Sequence, residues 1–281
     1  MAPHTDILMI TYNSPDYARI SIPHLLSTCI ENTRVWLWHN GEDEETLSVV
    51  EEHATDARVH RFHHSRVNVR LTEPTNWLWG ESKGDFVSKV DDDCLPEQGW
   101  VERLEAIHEA NPEFGAIGCW RFLEEDFDPK LATPKIATFA GGHQLLRNHW
   151  VQGSGYLLPR TMVNRAGLLQ QGQSFPQYCL ALARLGAING WAYPFIREDN
   201  MDDPRSPNTL FKTDEDFLRR MPLTAQKLGI RTVQDWAQQE HESALAVQRA
   251  SLDLRQYSGW RAKRQGVNRR VKRILRGRGS W

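Results

Sequence analysis

Three consecutive aspartates, Asp91, Asp92 and Asp93, follow an apolar run in "DFVSKVDDDCLP", residues 85–96. Neighbouring carboxylates repel one another, so a chain that groups three of them after a buried segment needs something to offset their charge. In an extended chain Asp91 and Asp93, two apart, point to the same side. Hard divalent cations such as Mg2+ and Mn2+ prefer carboxylate oxygens. They often keep one or two protein carboxylates and take their other ligands from substrate phosphates and water. The D-x-D spacing fits such a cation. It also fits a solvated acidic turn ahead of Pro96, and spacing alone does not choose.

A second group of carboxylates lies in "REDNMDDPRSP", which holds Asp199, Asp202 and Asp203. By themselves these read as a polar surface loop whose aspartates cap turns before proline. His143 stands in "AGGHQ", where two glycines permit either close approach to a ligand or a simple connecting turn. Four scattered cysteines without a CxxC pair argue against a zinc site or a disulfide framework.

The elements that must carry these residues alternate. "DILMITYN" reads as a buried strand, and Ser14-Pro15 opens a helix to about Thr28 with Ser14 as its cap. "TRVWLWHN" is a second strand, and an acidic helix follows "GED". "RVHRFHH" is a third strand. Thr72 caps the next helix and Gly84 ends it, then "DFVSKV" forms a fourth strand that delivers the aspartates. "PEQGWVERLEAIHEANP" reads as a helix stopped by Pro112, and "FGAIGCWRF" as a fifth strand. Alternating strands and short connections predict an α/β fold, a mostly parallel sheet with helices on both faces, whose ligands bind beyond the carboxyl ends of the strands. Further on, "LEEDFDPKLATPKIATFAGGHQLLRNH" reads as a long, partly open loop. "GSGYLLP" is a short strand, Thr161 caps a helix, "FPQYCLALARLGAI" is another helix and "GWAYPFI" another strand. Residues from Thr232 to about Tyr257 read as one long helix.

Of the 281 residues, 40% are hydrophobic and 25% charged, the composition of an ordinary globular protein. No apolar run reaches the roughly 18 residues needed to span a bilayer. The N-terminus lacks the pattern of a signal peptide, and a cytoplasmic location is expected. The net charge is −2, yet residues 261–281 carry nine Lys or Arg and no acid, so the remainder is acidic. In that tail Val267, Val271, Ile274 and Leu275 recur at helical spacing among arginines. This suits a helix lying on an anionic membrane surface, with a solvated tail or nucleic-acid binding as rival readings and nucleic acid the less expected. The expected organisation is a catalytic domain over 1–212, a helical extension over 213–258 and a basic amphipathic tail over 259–281.

"TYNSPDY" after the first strand, "NGEDEET" after the second and "GDFVSKVDDDCLP" occur in an order and spacing that resemble a GT-A fold glycosyltransferase of the family 2 type, over about residues 5–122. The resemblance implies a nucleotide-sugar donor lying across the strand ends, a glycan or lipid-linked acceptor, and Mn2+ or Mg2+ as cofactor. It implies that Asp93 ligates the metal, that Asp91 contacts the ribose or the metal's water shell, and that Asp92 acts nearby. Thr11, Tyr12 and Asn13 would line the nucleoside pocket, Tyr12 either against the base or in the core. Asp43 would reach the ribose or base, or cap its helix, and Asn76 would approach the donor. A divalent cation at the aspartates would stabilise the diphosphate leaving group.

Two departures stand out. The family often has an aspartate before "NG" that reads a uracil edge, and this chain has His39 there, which argues against UDP and leaves dTDP, GDP or an unusual contact open. The helix on which the family usually carries its base, often in an "ED" pair, reads "QSFPQYCLALARLG" and has no carboxylate. The nearest such pairs lie in Glu124-Glu125-Asp126 and Glu198-Asp199, and the resemblance leaves Asp202 and Asp203 as base or, for Asp203, as a late metal ligand. A non-catalytic binding protein on the same scaffold is the alternative. A nucleotidyltransferase is less favoured, because "TYNSPDYAR" has no glycine-rich phosphate loop.

Overall fold

The computed structural model describes residues 4–258; the basic tail read from the sequence lies outside them. The chain divides into two compact units, the first covering 4–121 and 133–199 and the second 122–132 and 200–258 of the described residues.

The first unit is built on β1 (Thr5–Tyr12), β2 (Thr33–Asn40), β3 (Val59–Ser65), β4 (Phe86–Asp91), β5 (Cys94–Pro96), β6 (Phe114–Gly118), β7 (Ile136–Thr138), β8 (Gln144–Asn148), β9 (Tyr156–Pro159), β10 (Ile188–Tyr193) and β11 (Glu198–Asn200). Nine strands form one sheet in the order β3-β2-β1-β4-β9-β6-β10-β8-β7, and β5 pairs with β11 in a small second sheet. Within the large sheet β8 and β9 run against the others, so it is mostly parallel, as the alternation predicts. β1 and β2 pair in register from Thr5–Thr33 to Tyr12–Asn40, and β1 pairs with β4 up to Ile10–Asp91. Tyr12, Asn40 and Asp91 are thereby brought to one edge.

Strand alternation sorts the side chains. Val35 and Leu37 of β2 and Val90 of β4 join a core with Ile22 and Leu25 of helix Pro15–Ser27 and Trp100 and Leu104 of helix Trp100–Ala110. Trp36 and Trp38 face the other way and meet Trp77 of helix Thr72–Glu81, at ring-centroid distances of 5.0 and 5.4 Å. Trp79 of that helix packs on Tyr178 of helix Phe175–Arg184. Helices therefore cover both faces.

Several local expectations change. Ser14 precedes its helix without a side-chain capping bond; its N–H is instead donated to Thr46 Oγ1. Thr72 is already helical and the helix ends at Glu81, so Gly84 is no cap. A Cβ on Gly84 would lie 2.9 Å from the carbonyl oxygens of His4 and Phe86, so the glycine is required by close backbone approach. Thr161 lies inside helix Arg160–Ala166, whose cap position is Pro159. The stretch expected as an open loop holds the antiparallel pair β7–β8, because Leu145 and Leu146 are fully buried and bring β8 against β10. The long C-terminal helix runs Val233–Arg249 and is followed by a separate short turn of helix, Leu254–Tyr257.

The second unit contains helices Asp214–Arg220, Leu223–Leu228 and Val233–Arg249 around Phe211, Phe217, Ala225 and Trp236. Residues 122–132 are tied to the last of these helices: Gln248 Nε2 donates to Asp126 O, and Asp128 N donates to Gln248 Oε1, both at 2.8 Å. No helix among the described residues is long and apolar enough to cross a membrane.

Candidate functional site

β4 ends at Asp91, and the chain turns through Asp92 and Asp93 into β5. Each carboxylate is held differently. Asp91 is ion-paired with Lys89, and its backbone N–H donates to Ser154 Oγ at 3.0 Å. Asp92 accepts from the backbone N–H of Tyr12. Asp93 Oδ1 accepts from the Cys94 thiol at 3.2 Å. Burial, then repulsion within the trio, pushes Asp92 well above the ordinary carboxylate range and raises Asp93 as well.

A fourth carboxylate joins them. Glu198 is almost completely buried on β11, the strand that pairs with β5, and its N–H donates to Trp120 O at 3.1 Å. Ser154 Oγ donates to Glu198 Oε1 at 2.6 Å while accepting from Asp91, so one hydroxyl bridges the aspartate strand and the glutamate. Glu198 Oε2 is buried with no partner among the described residues. Burial, followed by the charges of Asp91 and Asp93, pushes the Glu198 carboxyl up to about 8. Gly155 makes this packing possible: its φ is +56°, and a Cβ there would lie 2.4 Å from Glu198 Oε1.

Lys89 and Arg121 act against these acids. With all four carboxylates ionised, these two cations would leave a formal deficit of two positive charges, which adds to burial in pushing Asp92, Asp93 and Glu198 toward their protonated forms. Among the described residues no three His, Cys, Asp or Glu are grouped to hold a metal ion unaided. A hard divalent cation held through one or two carboxylates and completed by phosphate and water fits both the donor set and the charge deficit.

Beside the aspartates, the ends of β1 and β2 form a second cluster. Tyr12 is 45% exposed, and its ring lies against Gly41, where a Cβ would come within 3.2 Å of Tyr12 Cε2. Asn13 adopts a left-handed conformation with φ 47° next to that glycine. Thr11 and His39 are buried and hydrogen-bonded through Oγ1 and Nδ1 at 2.9 Å, while His39 Nε2 has no partner among the described residues. Burial, then the neighbouring His64, lowers the His39 pKa and keeps the ring neutral.

Other residues singled out from the sequence have structural partners. Asp43 caps helix Glu44–His53, accepting the Thr46 N–H at 2.8 Å. The Asn76 amide clamps the backbone of Leu169 in both directions, at 2.8 and 2.9 Å. His143 closes the turn between β7 and β8, where Asn111, just past helix Trp100–Ala110, bonds both backbone groups of Ala140. Asp199 alternates to the opposite face of β11 from Glu198. Asp202 and Asp203 belong to the second unit. The Asp202 carbonyl accepts from Trp236 Nε1, and the Asp203 carboxylate is gripped by Arg205 Nε and Nη2 at 3.0 and 2.7 Å. Arg205 also makes two bonds to Asp126, at 2.7 and 2.8 Å, and His241 Nδ1 lies 2.8 Å from the same carboxylate. Burial works to raise Asp126, but Arg205 and His241 outweigh it and hold the carboxyl low.

Lys89 and Ser154 are the residues that sequence reading passes over as site members, and of the pair Glu198-Asp199 it singles out Asp199. Lys89 carried a signal, since a charged residue inside a buried strand, two before Asp91, must share its side. Glu198 carried one too, as the first residue of the pair Glu198-Asp199, while Ser154 carried none that separates it from loop residues.

The family model for glycosyl transferase family 2 matches residues 6–168, more than half of the chain. A curated relative from Haemophilus influenzae, described as an uncharacterized glycosyltransferase, is 24% identical over 119 residues, covering 42% of this chain and 36% of the relative. The matched part thus spans about a third of that relative's length. Among solved structures, the mannosyltransferase PcManGT from Pyrobaculum calidifontis, in complex with GDP-Man and Mn2+, superposes with a TM-score of 0.60 at 16% identity, covering 90% of this chain and 78% of that one. TarS 1-349 from S. aureus superposes with a TM-score of 0.52 at 14% identity, covering 92% and 73%. The sheet that carries Asp91–Asp93 has the GT-A-type architecture of these structures, and the chain belongs to glycosyl transferase family 2.

Proposed function

We propose that this protein is a divalent-cation-dependent glycosyltransferase that moves a sugar from a nucleotide-diphosphate donor to a glycan or lipid-linked acceptor. One observation carries the reading: Asp91, Asp92, Asp93 and Glu198 converge at the end of β4, where Lys89 and Arg121 oppose them. Family membership and the GT-A fold support it, and a structural neighbour was solved with GDP-Man and Mn2+.

In this reading Asp93 and Asp91 hold Mn2+ or Mg2+, which when bound offsets the charge of the departing nucleoside diphosphate. The exposed Tyr12 ring offers a face to the base, and Thr11, Asn13 and His39 complete the nucleoside side of the site. His39 presents a neutral imidazole where a carboxylate is common. In its ionised form, which a divalent cation bound at the aspartates would favour, Glu198 would take the acceptor hydroxyl's proton. Its Oε2 is buried with no partner among the described residues, and Ser154 fixes its orientation. This role passes to Glu198 because the Asp203 carboxylate is held by Arg205 and Asp199 faces away from it. The basic residues of 260–281 would hold the protein at an anionic membrane surface on the cytoplasmic side, where lipid-linked acceptors are presented.

Calorimetric titration of UDP, dTDP and GDP, each with and without Mn2+, tests the reading on wild type and Asp93→Ala. The expected result is Mn2+-dependent binding of one nucleotide, lost in the variant. Folded wild-type protein that binds none of the three with Mn2+ present refutes it. Glu198→Gln is expected to retain nucleotide binding and lose transfer.

A further inference from the structure

β4 places Lys89 two residues before Asp91, so both side chains lie on the face opposite Phe86 and Val90, Lys89 beside Gly153. Lys89 is only 4% exposed, and its ammonium is ion-paired with Asp91 Oδ1, whose side chain is 37% exposed. A buried ammonium requires a counter-charge, and Asp91 is the one it contacts. The pair is held from one segment. Gly155 N donates to Lys89 O at 2.9 Å, Ser154 Oγ accepts from Asp91 N at 3.0 Å, and a Cβ at Gly153 would stand 3.9 Å from Lys89 Cε. The lysine thus occupies the carboxylate that a divalent cation would use.

We infer that Lys89 is a positioning residue that makes the cation and the diphosphate bind together. The inference rests on the cation–diphosphate reading of the site. A cation arriving alone must compete with the ammonium for Asp91 and is repelled by it. A diphosphate brings negative charge to the same strand end and gives the displaced ammonium another acceptor. Each ligand therefore raises the affinity of the other, by the same factor. An uncharged residue at position 89 removes the competition and the coupling together, whereas arginine keeps both.

The test is calorimetric and electron-paramagnetic titration of the full chain with Mn2+ alone, nucleoside diphosphate alone, and both, for wild type, Lys89→Met and Lys89→Arg. Thermal unfolding checks that each variant is folded. Wild type is expected to bind Mn2+ weakly by itself and about 10-fold more tightly with nucleotide present. Lys89→Met is expected to bind Mn2+ alone about 10-fold more tightly than wild type, with the coupling to nucleotide reduced toward none. Lys89→Arg should follow wild type. Unchanged Mn2+ affinity in Lys89→Met, or the same change in Lys89→Arg, overturns the inference, because the side chain then acts by packing. Wild type that binds Mn2+ equally well with and without bound nucleotide overturns it without any variant. Failure of wild type to bind nucleotide at all refutes the functional reading instead, and the Mn2+-only comparison still reports on Lys89.

Discussion

Replacing Glu198 with glutamine keeps the side chain's shape and removes its titration. In the folded protein, burial and then the charges of Asp91 and Asp93 move the carboxyl from 4.5 to about 8. The unfolded chain titrates near the ordinary value. Between those two pH values the folded protein holds a proton that the unfolded chain has released. Stability contributed by Glu198 is therefore greatest below pH about 4.5 and falls as pH rises, by about 1.4 kcal/mol per unit. The whole window caps the loss at roughly 5 kcal/mol, and relaxation and water entry around a charged carboxylate bring the expectation to about 3 kcal/mol at pH 8. Urea and thermal unfolding in EDTA, from pH 5 to pH 8, measure it. Wild type and Glu198→Gln should nearly coincide at pH 5. The variant should be the more stable at pH 8 by about 3 kcal/mol, or about 5 °C in Tm for a chain of this length. Parallel curves, or a wild type that gains on the variant with rising pH, would show that Glu198 is ionised in the folded state and refute the reasoning.

Gly155→Ala forces a Cβ to 2.4 Å from Glu198 Oε1 at a φ of +56°, so a loss of about 3 kcal/mol in urea unfolding is expected. Gly153→Ala, whose nearest contact would be 3.5 Å from Phe175 Cβ, should cost under about 1 kcal/mol. In the second unit, Arg205→Met strands the buried carboxylates of Asp126 and Asp203, and a loss of about 3–5 kcal/mol is expected by thermal unfolding. Adding Asp126→Asn should recover part of that loss. Asp43→Ala removes a helix cap and should cost about 1 kcal/mol, while Asp43→Asn is nearly neutral, and nucleotide titration should detect no change in either.

The first strands were legible because a buried parallel strand is a short apolar run between turn residues, and β1, β2 and β4 have that form. β2 falls on the expected residues, Thr33–Asn40, and β4 ends at Asp91. The pair β7–β8 was not legible, because strands of three and five residues carry too little pattern to distinguish them from a loop. The local sequence by itself determined that three carboxylates would stand at the end of β4, since strand periodicity and chain direction are local properties. Tertiary structure alone decided what they would face. Glu198 arrives because β11 pairs with β5 across more than a hundred residues, and Ser154 arrives because Gly155 permits a left-handed turn beneath the glutamate. Asp203, written four residues after Asp199, is drawn instead into the ion network of Arg205 and Asp126. Electrostatic partners are chosen by burial and reach in three dimensions. A sequence records which charges exist, and the fold decides which of them meet.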